Sequence, residues 1–167
     1  PGAERPKTRP DAIQRALNTA SAWLGIDRVE LYVNRSRSCH VSETNPWTVT
    51  IGEALISETS DAEKLFLVTR ALKLGVSDLS VVVRTDCQLL GGALHGLVRH
   101  IDSTYEPSGV DVAVMEEWAR RIGKVIPRRL REDLAANVLE MAAESHFAPA
   151  RLGHLCDRFG ARAALVA

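Results

Sequence analysis

The chain has 167 residues, 46% hydrophobic and 25% charged, a globular composition with enough length to bury roughly two-thirds of its unfolded surface. Its 21 basic and 21 acidic residues cancel, which argues against a global field that would gather nucleic acid or an anionic membrane surface. No run approaches the ~20 apolar residues that span a bilayer, so no membrane insertion is expected; three scattered cysteines, Cys39, Cys87 and Cys156, suit a reduced cytoplasmic interior better than a disulfide framework.

The first ten residues, PGAERPKTRP, are polar and proline-rich and read as linker or appended residues rather than as a signal peptide. The chain starts without Met and stops inside a helical pattern, ARAALVA, which suggests a piece of a longer protein. One domain is expected over residues 11–167. Its first element is a helix opening at Pro10-Asp11, with Ile13, Leu17, Ala20 and Leu24 on one face and Gly25 after it. Trp23 is expected to add bulk to that buried face.

Three strands follow. Arg28–Asn34 alternates Val29, Leu31 and Val33 with Glu30 and Tyr32, as a half-buried strand does. Cys39–Ser42 is a short second strand, and after the Asn45-Pro46 breaker Trp47–Ile51 is β-branched with period two. The next strong signal is Ser60–Leu74, where Ser60 and Glu63 form a capping box and Gly75 stands at the predicted end.

DLSVVVR, residues 78–84, fits a strand or a buried helix segment. Thr85 with Gln88 repeats the capping device ahead of a helix to Ile101. Gly91-Gly92 within that pattern costs helix stability, for which close helix packing is the expected reason. Further helices are predicted from Ser108-Gly109 through Gly123, from Pro127 to about Glu144, and from Pro149 onward. The class is therefore α+β, a small N-terminal three-stranded sheet followed by a mainly helical body of some six helices.

The order of three strands, a short IGEALI segment and a capped apolar helix resembles the front half of HtpX-type gluzincin metallopeptidases. The resemblance implies a zincin-like body in which Glu63 opens the zinc helix. Where those enzymes carry H-E-x-x-H, this chain has Arg70-Ala71-Leu72-Lys73-Leu74. Their distant second motif, a Glu ligand followed four residues later by an orienting Asp, corresponds to Gly153 and Asp157. Zinc chemistry needs two imidazoles one helical turn apart and a carboxylate base beside them. Arg70 does not shed its proton, Ala71 accepts none, and Leu74 and Gly153 offer no lone pair.

The resemblance thus implies a pseudo-peptidase without catalytic residues, metal or cofactor, of the kind found in large bacterial helical-repeat proteins. Its expected partner is another protein or another domain of the same parent chain. An alternative is a ligand-responsive module that takes a small molecule or extended peptide in the vacated cleft. Arg70 in place of the first His, with Asp157 retained, predicts an ion pair between the two helices. In the active relatives the last of the three strands aligns substrate by β-addition, so Trp47, Thr48, Val49, Thr50 and Ile51 become a candidate peptide-binding edge.

Other chemistry-bearing groups are poorly spaced. His95 and His100 stand five residues apart, about 140° around a helix. Cys39 and His40 are strand neighbours that face opposite ways, and His154 and Cys156 are two apart on a helix. The six basic residues of RRIGKVIPRRLR, residues 120–131, end one helix and begin another. Lacking interleaved aromatics, they read as a solvated junction rather than a nucleic-acid surface.

Overall fold

The computed structural model describes residues 11–107, 110–144 and 148–166. The linker assigned to residues 1–10, the helix start at Ser108-Gly109 and the final Ala167 lie outside the described residues. The architecture is α+β, with one three-stranded sheet and eight helices among the described residues. Within the single domain expected, the chain divides into two compact units. Among the described residues, those up to Arg84 and from His154 onward form the first, and those from Thr85 to Gly153 the second.

In the first unit, helix α1 (Asp11–Leu24) presents Ile13, Ala16, Leu17 and Ala20 to the core. Trp23 does not join them: it is 50% exposed, because the buried stripe runs 13-16-17-20 and leaves it at the margin. Strands β1 (Val29–Asn34), β2 (Cys39–Ser42) and β3 (Trp47–Gly52) form a sheet in the order β1-β3-β2. β1 is parallel to β3, with Leu31 opposite Val49, and β2 is antiparallel to it, with Val41 opposite Val49.

This order overturns one expectation. Trp47–Ile51 is the central strand, hydrogen-bonded on both sides, and not an edge open to a peptide. Its composition explains why: Val49, Thr50, Ile51 and Gly52 are all buried, so both faces are covered as well as both backbone edges. Thr50 is buried, while Thr48 is half-buried.

Of the IGEALI segment, Ile51 and Gly52 end β3, and the rest opens a six-residue helix, α2 (Glu53–Glu58). Then comes α3 (Asp61–Val76), opened by the predicted capping box. The Glu63 N–H donates to Ser60 Oγ at 3.3 Å, and the Ser60 N–H donates to the Glu63 carboxylate at 2.7 Å. The Ser60 N–H and hydroxyl, both donating to it, hold the Glu63 carboxyl below its usual range. Val68 and Leu72 of α3 close the core against α1 and the sheet.

The helix does not stop at Gly75. It continues to Val76, is capped at Ser77, and turns through Asp78 at φ 55°. Glycine is needed at 75 for closeness: a Cβ there would lie 2.6 Å from the Trp47 ring and 2.8 Å from Val41. The ambiguous 78–84 segment is resolved as a short helix, α4 (Ser80–Arg84).

The second unit is built on α5 (Cys87–Ile101) and α6 (Val112–Val125), with α7 (Arg128–Ala143) against α5. The cap of α5 is Asp86 rather than Thr85. Its carboxylate accepts from the N–H groups of Gln88 and Leu89 at 2.9 and 3.2 Å, and a charged acceptor suits a helix start better than a hydroxyl. Asp111 caps α6 in the same way. Pro127 stands one position before the first turn of α7, at its N-cap. The last helix, α8 (Pro149–Leu165), contains the division between the two units. Among the described residues no helix is long and apolar enough to cross a membrane.

Candidate functional site

Of the positions singled out by the resemblance, Arg70, Leu74 and Asp157 come together in the first unit, where α3 meets the later portion of α8. Arg70 and Asp157 form the expected ion pair, with the guanidinium 21% exposed and the carboxylate 48% exposed. One turn further on, the Lys73 ammonium lies 5.7 Å from the Phe159 ring centroid, a cation–π distance. Leu74 is buried against Gly160, where a Cβ would come within 2.8 Å of the leucine side chain. Ala71 is 2% exposed. The helices therefore register through charge, ring and shape at successive turns. Gly153 stands on α8 one turn before Asp157 and falls in the second unit.

These residues do not fit a zinc ion. Where the helices meet, the Arg70 guanidinium is a cation already committed to the Asp157 carboxylate, and Leu74 fills the next turn with hydrocarbon. Among the described residues no group of three or more His, Cys, Asp or Glu side chains is assembled that could hold a metal.

A cavity of about 30 Å³ remains beside Arg70, Ala71 and Leu74, walled on its other sides by Cys39, His40 and Arg84. That volume holds about one water molecule. Arg84 reaches across its far side to donate to the Val41 carbonyl at 3.3 Å, which occupies some of the outer edge of β2. The Cys39 thiol donates to the Leu67 carbonyl at 3.6 Å, and burial pushes its pKa up to about 12 against the opposing pull of Arg70. Burial, reinforced by the Arg84 charge, pushes the His40 pKa down. A protonated thiol and a neutral imidazole on one small cavity make a poor nucleophile–base pair.

Two measurements probe this region. The Arg70–Asp157 pair is half solvated, so a double-mutant cycle with Arg70→Met and Asp157→Asn should give a coupling of about 0.5–1 kcal/mol that shrinks with added salt. Urea unfolding of the four chains reads it, and zero coupling at low salt would remove the pair's structural role.

The Cys39 pKa sets a pH dependence. The folded thiol keeps its proton above its ordinary 9.0 while the unfolded one loses it, so the unfolded chain binds fewer protons and stability falls as pH rises through about 9 toward 12. The slope from this group is at most about 1.4 kcal/mol per pH unit. Unfolding curves from about pH 8 to about pH 10 should therefore converge between the parent and Cys39→Ser, whereas parallel curves would show that Cys39 does not titrate differently on folding.

The sequence did not expose a second cavity, larger than the one beside Arg70. About 460 Å³ opens at the other end of α3, between the α1–β1 turn, the β2–β3 connection and the α3 C-terminus, with Ile26, Asp27, Trp47, Val76 and Asp78 on its walls. Three separate connections build it, and no single segment carries its signature.

In the second unit, His95 is buried, and its Nδ1 lies 2.8 Å from the Tyr105 hydroxyl with the rings stacked. Burial pushes its pKa down. His100 sits instead against Gly123 of α6, consistent with the divergent spacing of the two histidines. In comparisons with known protein families, curated proteins and solved structures, nothing matches this chain.

Proposed function

We propose that this chain is a non-catalytic interaction or scaffolding domain on a degenerate gluzincin-like frame, serving another protein or another domain of its own parent chain in the cytoplasm. The observation that supports it is the Arg70–Asp157 pair with Ala71 and Leu74 packed beside it. Where the resemblance would put metal and base, the side chains are spent on holding α3 to α8. The residues in those positions serve packing, and no nucleophile, base and orienter stand together there.

The alternative, a ligand taken into the vacated cleft, is less favoured at this location. The space beside Arg70 admits about one water, so a larger guest would have to push apart helices joined by charge and packing.

Zinc analysis and pull-down together test the proposal. Protein purified from zinc-supplemented medium should carry far less than one equivalent of zinc and cleave no peptide library, and stoichiometric zinc would overturn the pseudo-peptidase assignment. The chain used as bait should retain a specific protein partner that survives washing at moderate salt. Repeated failure to capture one from the source cell would count against the interaction role.

A further inference from the structure

We propose that the 460 Å³ cavity of the first unit is a binding site for a small organic cation, an ammonium compound whose charge lies between Asp27 and Asp78 and whose carbon skeleton rests on Trp47. The volume falls in the range of small-molecule sites, and the cavity is separate from the space beside Arg70. Four features of its walls favour positive charge, and they arise from three separate segments of the chain.

Asp27 and Asp78 both line it, and neither carboxylate makes a side-chain hydrogen bond or ion pair with the described residues. Arg28 also lines the cavity, but its guanidinium is directed to Glu30, a residue outside the lining, at 3.5 Å. Its charge is thus answered elsewhere, which leaves the two aspartates as the uncompensated charges.

Two helices end at the cavity: α1 at Leu24 and α3 at Val76, both lining residues. A helix C-terminus carries roughly half a negative charge. α1 has no basic residue in its last turn. The α1 dipole is therefore unanswered by its own helix, and the Lys73 charge in the last turn of α3 leans toward Phe159 of α8.

Trp47 supplies the fourth feature. Its ring lies across Gly75, held there by the absence of a Cβ, and borders the cavity with Leu24, Ile26 and Val76. An indole face attracts ammonium groups more than any other side-chain ring, and the aliphatic neighbours accept the rest of the molecule. A metal ion is the wrong guest, because two carboxylates are too few and the described residues assemble no metal-binding group.

The test titrates the full 167-residue chain with agmatine and with benzyltrimethylammonium, following backbone amide shifts and tryptophan fluorescence, with phenylacetate as the anionic counterpart. At least one cation should saturate, moving resonances at residues 24–28 and 75–78, with an affinity that falls as salt rises.

The Asp27→Asn/Asp78→Asn variant should bind at least about tenfold more weakly. Both aspartates are exposed, and Asn accepts the left-handed backbone at 78, so the variant should melt with the parent. Failure of both cations to saturate below about 10 mM would overturn the proposal. Undiminished binding by the double variant, or equal binding of phenylacetate, would overturn it as well.

Discussion

Gly52→Ala should destabilise the first unit by about 3 kcal/mol or more, a fall of roughly 6–12 °C in Tm. Nothing in the backbone dihedrals of Gly52 demands glycine, since φ −71° and ψ 138° are open to any residue. The demand is spatial. An added Cβ would lie 1.8 Å from the Ser36 carbonyl oxygen and 2.8 Å from its carbon, both main-chain atoms that no rotamer change can move.

The Ser36 loop is also pinned. Its N–H and Oγ both donate to Asn34 Oδ1, at 2.9 and 2.6 Å, and the Gly52 N–H donates to the Ser38 carbonyl at 2.9 Å. Accommodating a methyl group means lifting the β1–β2 connection from the end of the central strand. The smaller conformational entropy of unfolded Ala offers about 0.4–1 kcal/mol in return, too little to compensate. Urea unfolding followed by far-UV circular dichroism measures the loss. A cost under about 1 kcal/mol would mean that the loop is not held against β3.

The same contrast between local and spatial causes divides what the residues disclosed from what they concealed. The three strands, the Ser60–Glu63 box and the start of α8 at Pro149 depend on neighbours in sequence, and the structure has them where the pattern predicts. Strand order depends on pairing between distant segments. The resemblance made β3 an edge, and alternation in WTVTI, which says that two faces differ but not which strands flank it, could not show that it is the centre.

Gly75 is another case. A glycine near a predicted helix end is ordinarily a terminator, but here it admits the Trp47 ring from another strand. The Thr85 misassignment is smaller, a choice between adjacent residues that both cap well. The Arg70–Asp157 pair was legible for a different reason: the resemblance had already placed the two positions face to face, and opposite charges complete the inference. The cation cavity had no such guide, since its walls come from residues 24–28, 45–47 and 75–78.

In the second unit, Gly96→Ala should cost about 2 kcal/mol, and Gly92→Ala at the same helix crossing much less, although both replace a helical glycine with the best helix former. A Cβ at 96 would meet the main chain of α6, at 2.9 Å from the Ala119 nitrogen and 3.1 Å from the Met115 carbonyl oxygen, besides 2.5 Å from Trp118 Cβ. The two helices must then separate along a contact that buries Met115 and Val98, and the lost packing outweighs the propensity gain of about 1 kcal/mol.

At 92 the obstructing atoms are side-chain ends, Val114 Cγ1 at 2.8 Å and the Trp118 ring edge at 3.1 Å. These can shift by a few tenths of an ångström, so propensity and strain nearly cancel. The Gly91-Gly92 pair drew attention in the sequence, yet the glycine with the greatest structural demand is the less conspicuous one a turn later. Trp118 lies in this contact and reports on it directly by fluorescence during urea unfolding. The assignment fails if the Gly92→Ala chain unfolds first, because the closest approach of α5 and α6 would then lie a turn away from Gly96.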